Sequence, residues 1–302
     1  MPSANLTHPL SGVYTAAVTP LTADDQPDLS AWAGLLSFFA QRGAHGALLL
    51  GTTGEGTSFS AAERVDIFKA AAATRPEEFR LLAGTGTPSL TETIALNQAA
   101  FDAGFEAVVV LPPYFMRNAS EDGLFDWFSQ VIERSVPEGR WLLGYHIPAV
   151  SGVPLPLSLL QRLQAAYPTR FAGLKDSTGD QASAAAYAAG LPGCAVLVGN
   201  DKLMTSGMQA GAAGCITALA NLRIAELRAV YEGFLWDTDA SVHQATLDAA
   251  RSAMDSMPPA PAYLKAMLHS QHGLPLWPVR SPLRDFSGAQ VEQASAALKQ
   301  TL

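Results

Sequence analysis

Phe171-Ala172-Gly173-Leu174-Lys175-Asp176-Ser177-Thr178-Gly179-Asp180, followed by Gln181-Ala182-Ser183-Ala184-Ala185-Ala186-Tyr187-Ala188-Ala189, is the stretch from which the fold can be read. Five residues form an apolar run closed by a lysine, the next five are turn formers, and an alanine-rich segment follows. The reading is a buried strand, its exit turn and a helix. The same unit recurs along the chain. Strands are expected at 13–18, 46–50, 80–83, 107–111, 141–145, 171–175, 195–198 and 215–217, and helices at 29–42, 61–74, 90–103, 121–134, 157–166, 181–189, 202–210 and 224–235. Ser60, Ser89 and Ser120 stand where helix N-caps belong, each followed by an acid near the first turn.

Strands that alternate with helices imply a parallel sheet, and strands apolar at nearly every position imply cover on both faces. Eight such units fill a (β/α)8 TIM barrel, which typically takes ~250 residues. An open doubly wound sheet would usually place G-x-G-x-x-G after its first strand, whereas Thr19-Pro20-Leu21 follows here. No break in composition divides the first 235 residues. Beyond them the pattern is helical, at 242–254 and 262–269, and then extended and apolar through Leu276-Trp277-Pro278-Val279-Arg280-Ser281-Pro282. The expected division is a barrel over residues 1–235 and a C-terminal helical extension over residues 236–302, packed on the barrel as a cap.

The 302 residues are 48% hydrophobic and 15% charged, with no apolar run long enough to cross a bilayer. Residues 1–10 lack the basic and apolar blocks of a signal peptide. Cys194 and Cys215 lie in apolar segments without metal-type spacing, which suits a reducing cytoplasm. A net charge of −8 without a basic stripe makes nucleic acid and anionic membrane unexpected partners. Lysines are scarce, being only Lys69, Lys175, Lys202, Lys265 and Lys299, so one that closes an apolar strand is conspicuous.

In a barrel the active site lies at the C-terminal ends of the strands. Lys175 stands there. Desolvation should lower its pKa, and a neutral lysine amine attacks carbonyl carbons to give Schiff bases. The competing reading is a lysine that snorkels from a strand end into water. Strand two opens into Gly51-Thr52-Thr53-Gly54-Glu55-Gly56, whose hydroxyls and glycine-flanked N–H groups suit a small carboxylate or simply make a tight turn. Tyr145 closes strand five beside His146 and Pro148. Its hydroxyl is placed either to shuttle protons or to bond a backbone carbonyl. Strand four delivers Tyr114-Phe115, strand seven Asn200-Asp201 and strand eight Ile216-Thr217. His8, His45, His243, His269 and His272 are scattered, so no metal site and no cofactor are expected.

Together, Gly51-Thr52-Thr53-Gly54-Glu55, Tyr145-His146-Ile147-Pro148, Gly173-Leu174-Lys175-Asp176-Ser177-Thr178-Gly179-Asp180 and Gly211-Ala212-Ala213-Gly214-Cys215-Ile216-Thr217 resemble the dihydrodipicolinate synthase and N-acetylneuraminate lyase family of class I aldolases. The resemblance runs in register from about Gly12 to the end of the chain. It implies that Lys175 is the Schiff-base lysine and Tyr145 the proton-transferring tyrosine. It implies further that Thr52 links to the tyrosine relay, that Thr53 helps hold the keto-acid carboxylate, and that the Ile216 carbonyl faces bound pyruvate. A homotetramer or dimer is implied as well.

Two departures follow. Where relatives carry a tyrosine lent by the neighbouring subunit, this chain has Phe115, so either Tyr114 substitutes or the relay ends in water. Where dihydrodipicolinate synthases carry an arginine for the second substrate's carboxylate, this chain has Val150, although Arg117 stands on a loop within possible reach. The sialic acid branch places an Asp-Glu pair where this chain has Asp201-Lys202. The expectation is a lyase that joins Lys175 to pyruvate or a related 2-keto acid, with an aldehyde or a 2-keto-3-deoxy sugar acid as second substrate, by aldolase or dehydratase chemistry. Ser177, Asn200, Asp201 and Thr217 are its expected polar contacts. The alternatives are dihydrodipicolinate synthase proper and a catalytically weak keto-acid-binding barrel.

Overall fold

Each apolar run expected as a strand is one, within one or two residues of its expected ends. In the computed structural model, which describes residues 4–301, the strands are β1 (Gly12–Ala16), β2 (Gly46–Leu49), β3 (Arg80–Gly84), β4 (Ala107–Val110), β5 (Trp141–His146), β6 (Phe171–Asp176), β7 (Ala195–Val198) and β8 (Gly214–Thr217). All pair in parallel in chain order, and β8 closes on β1 through Gly12–Gly214 and Tyr14–Ile216. Gly214 allows that closure: its φ is +133°, and a Cβ there would stand 2.0 Å from the Gly12 carbonyl oxygen. Of the opening stretch read for an export signal, residues 1–3 lie outside the described residues.

The helices are α1 (Trp32–Gln41), α2 (Ala61–Ala73), α3 (Leu90–Asp102), α4 (Glu121–Ser135), α5 (Pro148–Ser151), α6 (Leu157–Ala166), α7 (Gln181–Gly190), α8 (Met204–Gln209), α9 (Ile224–Trp236), α10 (Ser241–Asp255), α11 (Ala260–His272) and α12 (Gly288–Lys299). Ser60, Ser89 and Ser120 do cap α2, α3 and α4, and Ser60 forms a capping box with Glu63. The short α5, and α12, opened by a Ser287–Gln290 capping box, were not among the expected helices.

Strand alternation sorts the apolar side chains into two clusters. Tyr14, Leu48, Leu82, Val109, Leu143, Leu197 and Ile216 fill the barrel interior. Their neighbours Val13, Leu49, Leu81, Val108, Leu142, Val196 and Cys215 point outward and pack under the helices. Both cysteines are buried and free, and burial pushes the Cys194 thiol up to about 11. No helix among the described residues is long and apolar enough to cross a membrane.

Candidate active site

Alternation by itself would point Lys175 the wrong way. Phe171 packs in the outer cluster and Ala172 in the inner one, so an unbroken strand would bring Leu174 inward and Lys175 outward. Instead the register between β5 and β6 shifts: Leu142 pairs with Phe171, and the next residue, Leu143, pairs with Gly173. This bulge flips every later side chain of β6. Leu174 turns outward, and Lys175 comes to lie inside, opposite Tyr145 on one side and Leu197 on the other. Gly173 makes the shift possible with a φ of +124°; a Cβ there would lie 2.6 Å from the Ala195 carbonyl oxygen.

Lys175 and Tyr145 are each 4% exposed. Lys175 Nζ donates to the Tyr145 hydroxyl at 3.3 Å and stands 4.3 Å from the centre of its ring. The same hydroxyl lies 3.1 Å from Thr52 Oγ1. Burial pushes the Tyr145 phenol's pKa up, but the Lys175 charge and hydrogen bonds with Thr52, Lys175 and Ser177 outweigh it and hold the phenol below its ordinary value. The result is a continuous path from the strand-two turn through a phenol of lowered pKa to a lysine amine.

The path opens onto a cavity of about 280 Å³, lined among others by Thr52, Tyr145, Tyr114, Leu111, Arg64 and Val150. Lys175 is not itself a lining residue; it stands behind Tyr145, which is, and bonds its hydroxyl. The cavity walls are mainly apolar with a few convergent polar groups, the usual character of a small-molecule site. Thr53 is half-buried on the same turn as Thr52, and Ile216 faces the barrel interior from β8. Ser177 is half-buried, with its N–H bonded to the His146 carbonyl oxygen at 2.8 Å. Asn200 is half-buried and caps the 3₁₀ turn Asp201–Leu203 through its side chain.

Two expected contacts turn away. Asp201 is fully buried, and its carboxylate pairs at 3.0 Å with Arg251 of α10, outside the barrel. Thr217 follows the inward Ile216 and so points outward, fully buried. Neither lines the cavity, and nor do Thr53, Ile216, Ser177 and Asn200. His146 is likewise an outward residue: its Nδ1 accepts the Leu155 N–H at 3.0 Å and its ring meets Tyr187 edge-on.

Tyr114 lines the cavity but, among the described residues, makes no hydrogen bond to Tyr145 or Thr52; burial pushes its pKa up. Phe115 is 79% exposed and does not enter the cavity of its own chain. Val150 sits on the rim, and Arg117 lies against Gly152, where a Cβ would stand 2.7 Å from its Nε. Arg64 was not anticipated. Its guanidinium is buried, donates from Nε to the Phe59 carbonyl oxygen at 3.2 Å, and has its pKa lowered by that burial. In sequence it reads as one more charged residue on an alanine-rich helix. Among the described residues no group of His, Cys, Asp and Glu is arranged to hold a metal.

A lysine amine buried beside a tyrosine hydroxyl, at the C-terminal mouth of a (β/α)8 barrel, defines a lyase of the class I, Schiff-base aldolase type. Comparison with known proteins gives the particular family. Residues 9–301 match the model of the dihydrodipicolinate synthetase family, and the chain belongs to it. An uncharacterized DapA-like lyase of Chloroflexus aurantiacus is 38% identical over 96% of this chain and 97% of its own. The 4-hydroxy-tetrahydrodipicolinate synthase 2 of Streptomyces coelicolor is 30% identical over 97% of this chain and 95% of its own. Among solved structures, YagE, a prophage protein of the same family from Escherichia coli K12 in complex with pyruvate, superposes with a TM-score of 0.89. It is 26% identical, and the match covers 97% of this chain and 99% of that one.

Proposed function

We propose that this protein is a pyruvate-dependent lyase acting on a 2-keto-3-deoxy sugar acid through an imine at Lys175. The observation that carries the reading is the contact of Lys175 Nζ with the Tyr145 hydroxyl at 3.3 Å, continued to Thr52 Oγ1 at 3.1 Å. The neutral amine attacks the C2 carbonyl and gives a carbinolamine, whose hydroxyl takes a proton from the Tyr145 phenol and leaves as water to give the protonated imine. In cleavage, the C4 hydroxyl gives up its proton, the C3–C4 bond breaks, and its electron pair enters the imine as an enamine while an aldehyde departs. Protonation of the enamine at C3 and hydrolysis then release pyruvate and restore Lys175. Tyr145 moves the protons in these steps, Thr52 relays them and orients the phenol, and Thr53 with the turn's N–H groups holds the carboxylate. Dehydration of a keto-deoxy sugar acid uses the same imine: a C3 proton is removed to give the enamine, whose electron pair then expels the protonated C4 hydroxyl as water.

Val150 supports a second substrate without a carboxylate at the rim, since its side chain donates no hydrogen bond. Ser177 and Asn200 are the proposed partners for sugar hydroxyls, and Tyr114 the proposed outer end of the relay. The protein works in the cytoplasm as a homotetramer or dimer on this reading. Arg117, which lies beside Gly152, is the observation that favours the second reading, condensation of pyruvate with aspartate semialdehyde. Borohydride reduction with pyruvate, read by intact mass, tests the imine. A panel of keto-deoxy sugar acids assayed beside aspartate semialdehyde tests the substrate.

A further inference from the structure

The turn that carries Thr52 and Thr53 is held from the far end of the chain. Glu55 closes it in the left-handed conformation, with φ +54°. Its carboxylate is buried and doubly engaged: Oε1 accepts Lys265 Nζ of α11 at 2.6 Å, and Oε2 accepts the Arg280 backbone N–H at 2.8 Å. Lys265 Nζ also donates to the Pro278 carbonyl oxygen at 2.6 Å. Both side chains of the pair are only 1% exposed. The Arg280 guanidinium extends the grip to the Ser58 carbonyl oxygen at 2.9 Å, Glu63 Oε1 at 2.7 Å and the Asp25 carbonyl oxygen, and rests over the Phe59 ring. From the barrel side, Thr19 Oγ1 donates to the Gly54 carbonyl oxygen at 2.6 Å, and the Tyr145 hydroxyl meets Thr52 Oγ1.

A buried ion pair is a costly way to fill space, because desolvation of both charges cancels most of their attraction and apolar residues of equal volume serve as well. What it supplies is direction. Charge-assisted hydrogen bonds are short and angular, and here they converge on Glu55, a non-glycine residue held in the left-handed backbone region. Three residues before Glu55 stands Thr52, whose hydroxyl meets Tyr145. We infer that the Glu55–Lys265 pair, with Arg280, is a positioning device through which residues 260–282 set the place of the Thr52 and Thr53 hydroxyls and hence the grip on the keto acid's carboxylate. The inference rests on the proposed function only for the identity of the ligand.

The decisive protein is the double variant Glu55→Gln/Lys265→Met, compared with wild type and Lys265→Met. Removing one partner strands a buried charge, whereas removing both does not. The double variant should therefore melt near the wild type while Lys265→Met melts well below it. In the double variant the pyruvate concentration for half-maximal borohydride trapping should rise roughly 10-fold or more, as expected for a lost charged hydrogen bond, and kcat should fall as well, because Thr52 also orients the Tyr145 phenol. Amide hydrogen exchange should accelerate over residues 51–58 and stay unchanged over β5 and β6. Wild-type half-saturation together with wild-type exchange at 51–58, in a double variant of near wild-type melting, would overturn the inference and leave the pair as packing. If the double variant fails to fold, Arg280→Ala, which removes only the outer part of the grip, must show the same two changes in smaller measure or the inference falls. If wild type gives no pyruvate adduct, the proposed ligand is wrong, and exchange at 51–58 alone decides the clasp.

Discussion

Tyr145 and Lys175 stand opposite each other across β5 and β6, in a register that exists only because β6 carries one extra residue between the partners of Leu142 and Leu143. Without that bulge Tyr145 would pair with Leu174, and the amine would point toward the helices. A single backbone irregularity therefore separates an inward amine from an outward one. β-Bulges are often found beside active sites, where they re-aim a side chain.

The first prediction follows from that placement. Pyruvate with borohydride should add one reduced pyruvyl unit to the wild type and nothing to Lys175→Ala. Peptide mapping should place the label on Lys175. A label on Lys202, which lies exposed in the turn after β7, would refute the assignment.

Tyr145→Phe keeps the ring that fills the barrel interior and deletes the hydroxyl shared by Lys175 and Thr52. General acid–base groups contribute ~10²–10⁴-fold, so kcat should fall by that order while the circular dichroism spectrum and the melting temperature hold. Unchanged turnover would return Tyr145 to a packing role.

Gly173→Ala tests the bulge itself. The new methyl meets the Ala195 carbonyl oxygen and the backbone must keep a φ of +124°, a strain on the order of 1–3 kcal/mol. The variant should melt lower and lose pyruvate trapping out of proportion to its loss of folded protein. A folded variant that traps pyruvate at the wild-type rate would show that Lys175 does not need this backbone.

Stability should depend on pH through His45, at the barrel's other end. Its Nδ1 accepts the Val13 N–H at 2.9 Å. Burial, assisted by Arg228 and Arg80, lowers its pKa from 6.5 to about 4. The folded state thus binds fewer protons than the unfolded state between those values, so stability is full above about 6.5 and declines as pH falls toward 4. His8, lowered to about 4 by burial, acts in the same direction. His45→Asn retains an acceptor but cannot titrate, and its melting temperature should fall less steeply over this window. An unaltered slope would remove His45 from the account.

Substrate choice turns on the rim. A carboxylate-bearing partner loses hydration on entry, and a bidentate arginine normally offsets that cost. With Val150 there, 62% exposed and free of crowding, cleavage or dehydration of a keto-deoxy sugar acid should outpace condensation with aspartate semialdehyde. Val150→Arg should narrow the difference without harming the fold. Efficient condensation by the wild type would show that Arg117 already supplies the missing cation.

The sequence by itself determined the eight strand-helix units, their order, three helix caps and the strand ends on which Lys175, Tyr145 and Thr52 lie, because each of these rests on local periodicity and local capping chemistry. The family resemblance added roles for those residues but no direction for their side chains. Direction was decided in three dimensions. Strand alternation, carried through to the end of β8, turns Thr217 outward, and α10 draws Asp201 to Arg251. The bulge at Gly173 turns Lys175 in, and its steric reason is the Ala195 carbonyl on the neighbouring strand. Glu55 and Lys265 are 210 residues apart, so no local pattern pairs them. Which face a strand residue presents, and which distant charge a buried carboxylate meets, depend on how neighbouring elements pack, and only the closed barrel with its C-terminal helices fixes that packing.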